Sequence, residues 1–266
     1  MPLNKIASGI AWVASSIKTP DIFQERARNI SQQLGRESID HLAEFLHKPP
    51  QKPSVLGKEF EGLGFWLTCC QQAILEILYN YRETSLPLLR KIAFGKFDWT
   101  QPLAINTLCR LALDGIESNL IVNEIAEAIA SQLEYEALMP AINTVVKIGI
   151  VTPQLTQALE VVIAEFQESE ADPVDILEIL EALAIIAPNT AKKYQFFLQD
   201  LMNGKSLKNR HQIADGTVVI LPSNQTTIDW GKNEPPPENI YSIRAAVLLY
   251  NLFPDDENVH SQPLKI

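Results

Sequence analysis

Ile105-Asn106-Thr107-Leu108-Cys109-Arg110-Leu111 is echoed 37 residues later by Ile142-Asn143-Thr144-Val145-Val146-Lys147-Ile148. A third segment, Glu181-Ala182-Leu183 followed by Ile185 and Ile186, comes 38 residues further on. In each, apolar side chains recur at the helical period, so one face of each helix seeks a core. A segment of similar length precedes each one, which predicts helix pairs over roughly 84–115, 116–150 and 151–188. A helix hairpin cannot bury its apolar face alone, so repeats at this spacing must stack on their neighbours.

Working outward, Thr19-Pro20, Thr152-Pro153 and Asp172-Pro173 each pair a capping residue with a proline at the first helical position. The cap oxygen satisfies an orphan N–H, and proline has no N–H to lose there. Leu155, Leu159, Val162, Ile163 and Phe166 follow one helical face, and Ile176, Leu177, Leu180, Leu183 and Ala184 another. Phe65–Tyr79 reads as the closing helix of an earlier pair. Asn189–Met202 and Glu238–Phe253 read as the helices of a last one, and Ile6–Ala14 as an amphipathic first helix. Leu86-Pro87 and Met139-Pro140 put proline in or near helix starts, where it kinks or bends the helix.

These readings divide the chain into an N-terminal helical cap region (1–47), a Pro-rich connector (48–60), a repeat array (61–254) and an acidic, flexible tail (255–266). The array carries an insertion at 204–237. There Thr217–Leu221 and Thr226–Trp230 flank the turn cluster Pro222-Ser223-Asn224-Gln225, which predicts one small β-hairpin.

The closing segment Ile243-Arg244-Ala245-Ala246-Val247-Leu248-Leu249 resembles the second helix of a HEAT repeat, and the unit lengths agree with that class. The chain thus resembles HEAT-like, armadillo-type α-helical repeat proteins over about 65–253. Asn106, Asn143 and Glu181 stand where the repeat consensus has arginine, and only Asp172-Pro173 matches part of the usual opening. The resemblance implies an all-α fold, a right-handed α-α superhelix whose second helices line a concave side. Asn106, Asn143, Glu181 and Arg244 then take equivalent positions, with Arg110 and Lys147 one turn further on. This polar ladder either ties unit to unit or contacts a partner, because each Asn offers donors and an acceptor.

Charge is uneven. The net value is −10, but residues 116–188 hold 13 acids against the single base Lys147, while the flanking segments are near balance. Such a field repels nucleic-acid phosphates and attracts basic protein surfaces. Asp175, Glu178 and Glu181 share one helical stripe and are candidate partner-binding residues, as is Trp230 in the insertion.

Chemistry-bearing signatures are absent. Cys69, Cys70 and Cys109 form no C-x-x-C, and the four histidines make no i,i+3 or i,i+4 pair. Glu168-x-Glu170-x-Asp172 lacks the glycine and closing glutamate of a calcium loop and reads as acid placed before a helix N-terminus. No nucleophile elbow, Walker loop or dinucleotide fingerprint occurs. No catalytic residue, metal site or cofactor is therefore expected. No apolar run is long enough for a membrane span, and a cytoplasmic location is the default expectation. The reading is a non-enzymatic protein-binding scaffold with a basic protein as partner, binding neither nucleic acid nor membrane. The stretch Leu86–Thr100 resembles tracts in bacterial HEAT-like immunity proteins, which implies neutralisation of a basic toxin as a narrower role. The HEAT-like fold also includes bilin lyases and DNA glycosylases, the alternative class.

Overall fold

The computed structural model describes residues 3–203 and 239–255, apart from positions 63, 97, 132 and 170. Among the described residues the protein is helical and contains no strand. The predicted hairpin at 204–237, with Trp230, lies outside the described residues, as does the tail beyond Asp255. The chain divides into two compact units, Met1–Ala158 and Leu159–Ile266.

The first unit holds α1 (Leu3–Ala14), α2 (Pro20–Leu34), α3 (Ile39–Glu44), α4 (Phe65–Asn80), α5 (Leu86–Ala93), α6 (Gln101–Leu113), α7 (Ser118–Ser131) and α8 (Tyr135–Lys147). α9 (Pro153–Glu168) begins here, and the division falls inside it. Within this unit α1 and α2 pack on α4, while α6 packs on α4, α5, α7 and α8. The predicted intervals 84–115 and 116–150 thus each hold two helices, α5–α6 and α7–α8, with the second helix of each in contact with its predecessor. The repeat-defining residues sit in the core: Ile105, Leu108, Leu111, Ile142 and Val145 are all fully or almost fully buried.

At the N-terminal end, α1 buries Ile6, Gly9, Ile10, Val13 and Ala14. Gly9 permits close approach of α2, since a Cβ there would lie 3.1 Å from Ile30 Cγ2. The proline-rich stretch runs against α4. Trp66 Nε1 donates to the Pro50 carbonyl at 2.7 Å, and Gln71 Nε2 donates to the Leu46 carbonyl at 2.9 Å. Phe60 is buried, its ring centroid 5.9 Å from that of Phe65 and 6.1 Å from that of Trp66.

The second unit contains the rest of α9, then α10 (Pro173–Ile186), α11 (Pro188–Ala191), α12 (Gln195–Met202) and α13 (Asn239–Leu252). α13 packs on α10, α11 and α12. A single helix was expected over 189–202; instead a 3-10 turn at Lys192–Tyr194 separates α11 from α12.

Helix starts follow the capping chemistry. α2, α9 and α10 begin at Pro20, Pro153 and Pro173. Asp172 accepts the Val174 N–H at 2.9 Å, and Thr152 Oγ1 accepts the Leu155 N–H at 3.1 Å. Thr19 makes no such bond. Pro87 and Pro102 occupy the first turns of α5 and α6, where proline costs no hydrogen bond, so the kink expected at Pro87 is not needed. Pro140 does lie inside its helix, α8.

Candidate functional site

The predicted ladder on the second helices is best developed where opposite charges meet. In the first unit, Arg110 on α6 forks onto Glu76 on α4, Nη1 to Oε2 at 2.5 Å and Nη2 to Oε1 at 2.9 Å. The Glu76 side chain is only 9% exposed and that of Arg110 32%. The guanidinium carbon lies 3.8 Å from the centroid of the Tyr79 ring. Burial works against the Arg110 charge, but the hydrogen bonds it donates to Glu76 and the attraction of that carboxylate outweigh it, and the pKa is raised above its ordinary value. Arg110 therefore serves as a tie between helices, with both terminal nitrogens bonded to Glu76.

Beside it, Tyr79 donates its hydroxyl to Asp114 Oδ2 at 2.6 Å, and Arg82 donates to the same oxygen. Those two hydrogen bonds hold the Asp114 carboxyl below its usual range. Arg82 adopts φ of 58° at the end of α4, a left-handed conformation in a residue with a side chain. Glu76, Tyr79, Arg82 and Asp114 were absent from the sequence reading. A usable signal existed: Glu76 and Arg110 are 34 residues apart, about one repeat, and of opposite sign.

The other first-unit candidates stand apart from this cluster. Asn106 is half-buried, while Asn143 and Lys147 are exposed. None of the three makes a side-chain hydrogen bond or ion pair with a described residue.

In the second unit four predicted residues come together. Arg244 on α13 forks onto Glu181 on α10, Nε to Oε1 at 3.0 Å and Nη2 to Oε2 at 2.6 Å. Glu178, one turn earlier on α10, lies 3.8 Å from the same Nη2, too far for a hydrogen bond. Burial pushes the Glu178 carboxyl up; Arg244 pulls it down, and the like charges of Asp175 and Glu181 add to the rise. Glu178 and Glu181 therefore share Arg244 as a counter-ion. The resemblance had placed Glu181 and Arg244 at equivalent positions, and the structure brings them into contact.

Ile185 continues the Glu178–Glu181 stripe. Treated with Ile186 as a core position, it is instead 72% exposed, whereas Ile186 is buried. The 38-residue register puts Ile186 opposite Ile148 and Ile185 opposite Lys147, a solvent-facing position. Ile243 and Val247 on α13 are exposed as well.

The acidic excess of 116–188 is partly neutralised from outside that segment. Arg90 bonds Glu124 at 2.8 Å and Glu117 at 2.6 Å in the first unit. In the second, Lys193 bonds Glu160 at 2.8 Å, and Arg244 takes Glu181. Asp172 is spent as a helix cap. Among the described residues, Glu127, Glu134 and Glu136 in the first unit and Glu165 and Glu168 in the second are exposed and pair with no described cation.

The remaining titratable groups offer little chemistry. Burial raises the thiol pKa of Cys69 to about 11 and of Cys70 and Cys109 to about 12, so all three are protonated and unreactive at neutral pH. His41 pairs with Glu44 at 3.0 Å, and His47 lies 3.6 Å from Asp98. Among the described residues no group of His, Cys, Asp and Glu could hold a metal ion, and no helix is long and apolar enough to cross a membrane. No protein-family model matches the chain, and neither a curated protein nor a solved structure matches it.

Proposed function

We propose that this chain is a non-enzymatic protein-binding scaffold, a HEAT-like, armadillo-type superhelix that takes a basic protein on its acidic surface. The observation that carries the reading is the set of unpaired carboxylates: Glu127, Glu134, Glu136, Glu165 and Glu168, exposed in a segment whose one base is Lys147. Elsewhere the fold spends cations freely on internal ties, as at Arg90, Arg110 and Arg244. Among the described residues these five have none. Unpaired surface acids of one sign attract a basic partner at long range and set its approach, with a salt dependence that reports the contact. Paired helices in each predicted interval, and the packing of α6 on both α4 and α8, support the repeat reading.

The test is affinity capture of basic proteins on the immobilised chain, eluted by a salt gradient. Glu127→Lys/Glu134→Lys/Glu136→Lys and Glu165→Lys/Glu168→Lys, all at exposed positions, serve as comparison columns. Retention that falls with salt and drops for either variant supports the acidic-surface scaffold. Retention that is indifferent to both removes it.

A further inference from the structure

α1 and α2 pack on each other and on α4, while α6 links α4 to the α7–α8 pair. On the α1–α2 layer Trp12 is 42% exposed and Ile22 43%. Single exposed apolar side chains are ordinary on a protein surface, but these two are held together by Arg26. One turn beyond Ile22 on α2, Arg26 places its guanidinium carbon 4.7 Å from the centroid of the Trp12 ring. Its Nη1 donates to the Trp12 carbonyl at 2.8 Å and to Ser15 Oγ at 3.0 Å. Trp12 is thus fixed before any partner arrives, and a pre-organised aromatic is the commonest kind of interface anchor.

Charge on this layer is self-complementary. Lys18, in the turn ahead of α2, then Ile22 and Glu25 follow one another at intervals of four and three residues, and all three are exposed. Glu25 has no hydrogen-bonding or ionic partner among the described residues. The Lys18 ammonium makes only a loose approach to the Phe60 ring, 5.6 Å from its centroid. The order along the chain is base, apolar, acid. A second copy running antiparallel about a two-fold axis at Ile22 sets Ile22 on Ile22 and brings Lys18 of each copy to Glu25 of the other. Asp21 lies about 100° round the helix from Ile22, at the edge of such a contact.

The long-range field also selects this face for self-association. Residues 1–47 hold five Lys/Arg and five Asp/Glu, so the layer carries no net charge. The unpaired acids Glu127, Glu134 and Glu136 lie on α7 and at the start of α8. Two copies meeting through the acidic segment repel one another; two copies meeting through α1 and α2 do not.

We propose that the chain forms a two-fold homodimer through α1 and α2, with Trp12 and Ile22 at its centre and reciprocal Lys18–Glu25 pairs at its rim. The proposal goes beyond the scaffold reading and uses none of the acids that carry it. The face is small. α2 has 15 residues and is about 22 Å long, and a helix pair is about 20 Å across. Such a face is at the low end for a specific interface, so the dimer is weak, with a dissociation constant of roughly 10–100 μM.

The test is sedimentation equilibrium of the full-length chain at about 5 to 300 μM, either side of that range. The expected result is a weight-average mass that rises with concentration from that of one chain toward that of two. Ile22→Asp should weaken association roughly tenfold or more. Lys18→Glu and Glu25→Lys should each weaken it about fivefold through like-charge contacts. The double variant Lys18→Glu/Glu25→Lys should regain the dimer, because the swap re-forms both reciprocal pairs. Thermal midpoints should stay close to the parent's, since every altered side chain is already in water. A chain that is monomeric throughout, a dimer indifferent to Ile22→Asp, or a double variant no better than either single overturns the proposal. None of these variants touches Glu127, Glu134 or Glu136, so the scaffold reading stands or falls separately.

Discussion

Replacing Arg110 by Met separates the charge of the α4–α6 tie from its volume. Met fills similar space and is a good helix former, so propensity and packing change little. Glu76, 9% exposed, is left with a buried carboxylate and no counter-charge. Stripping one partner from a buried ion pair costs about 3–5 kcal/mol. Arg110 keeps 32% of its side chain in water, which lowers the expectation to about 2–4 kcal/mol, including roughly 0.5–1 kcal/mol for the lost stack on Tyr79. For a unit of this size that corresponds to a fall in thermal midpoint of about 5–15 °C. Glu76→Leu should cost less, about 1 kcal/mol, because the Arg110 head still reaches solvent. The double variant Glu76→Leu/Arg110→Met should regain most of the loss, since an apolar pair in this place carries no desolvation penalty. Urea unfolding followed by circular dichroism on all three variants and the parent closes the cycle. An Arg110→Met cost below about 1 kcal/mol, or a double variant as costly as the two singles together, would refute the assignment of this pair as a structural tie.

Three further outcomes are expected. Glu178 has a folded pKa raised mainly by burial, so its ionisation opposes folding. That penalty is absent well below the unfolded value of about 4.3 and complete once pH exceeds the folded one. Glu178→Gln should therefore raise the thermal midpoint slightly at pH 7 and leave it unchanged near pH 3; a lower midpoint at pH 7 contradicts the sign. Gly9→Leu should destabilise by about 1–3 kcal/mol through overpacking against Ile30, whereas Gly9→Ala should stay near neutral, its helix-propensity gain of about 1 kcal/mol offsetting the 3.1 Å approach. The thiols of Cys69, Cys70 and Cys109, all buried, should resist a thiol-specific chromogenic reagent at neutral pH and react together on unfolding; a fast-reacting thiol in the native protein is inconsistent with their burial.

The helices were legible where local chemistry is strong. The three capping-residue–proline pairs mark the starts of α2, α9 and α10, and the 37-residue echo marks α6 and α8, because caps and apolar period act within a few residues. Glu181 and Arg244 were singled out as equivalent positions of a polar ladder, and their contact joins α10 to α13. The Arg110–Glu76 tie was not, because Arg110 was read along its own helix and its acceptor lies 34 residues back, on α4. The acidic excess of 116–188 overstated the local field for the same reason: Arg90, Lys193 and Arg244 lie outside that window but neutralise acids within it. Ile185 was misread because the apolar period alone did not say which of the two adjacent isoleucines turned outward.

The spacing of the ion pairs has a kinetic consequence. Arg244–Glu181 spans 63 residues, but Arg82–Asp114, Lys193–Glu160, Arg90–Glu124 and Arg110–Glu76 join residues only 32, 33, 34 and 34 positions apart. Each of these four closes a loop of modest, nearly constant length, so none waits on a distant part of the chain. At a synthesis rate of about 5–20 residues per second, a hairpin leaving the ribosome meets its electrostatic partner within roughly 2–7 seconds. Assembly can then advance one hairpin at a time during translation, with the short contact separations that favour fast folding.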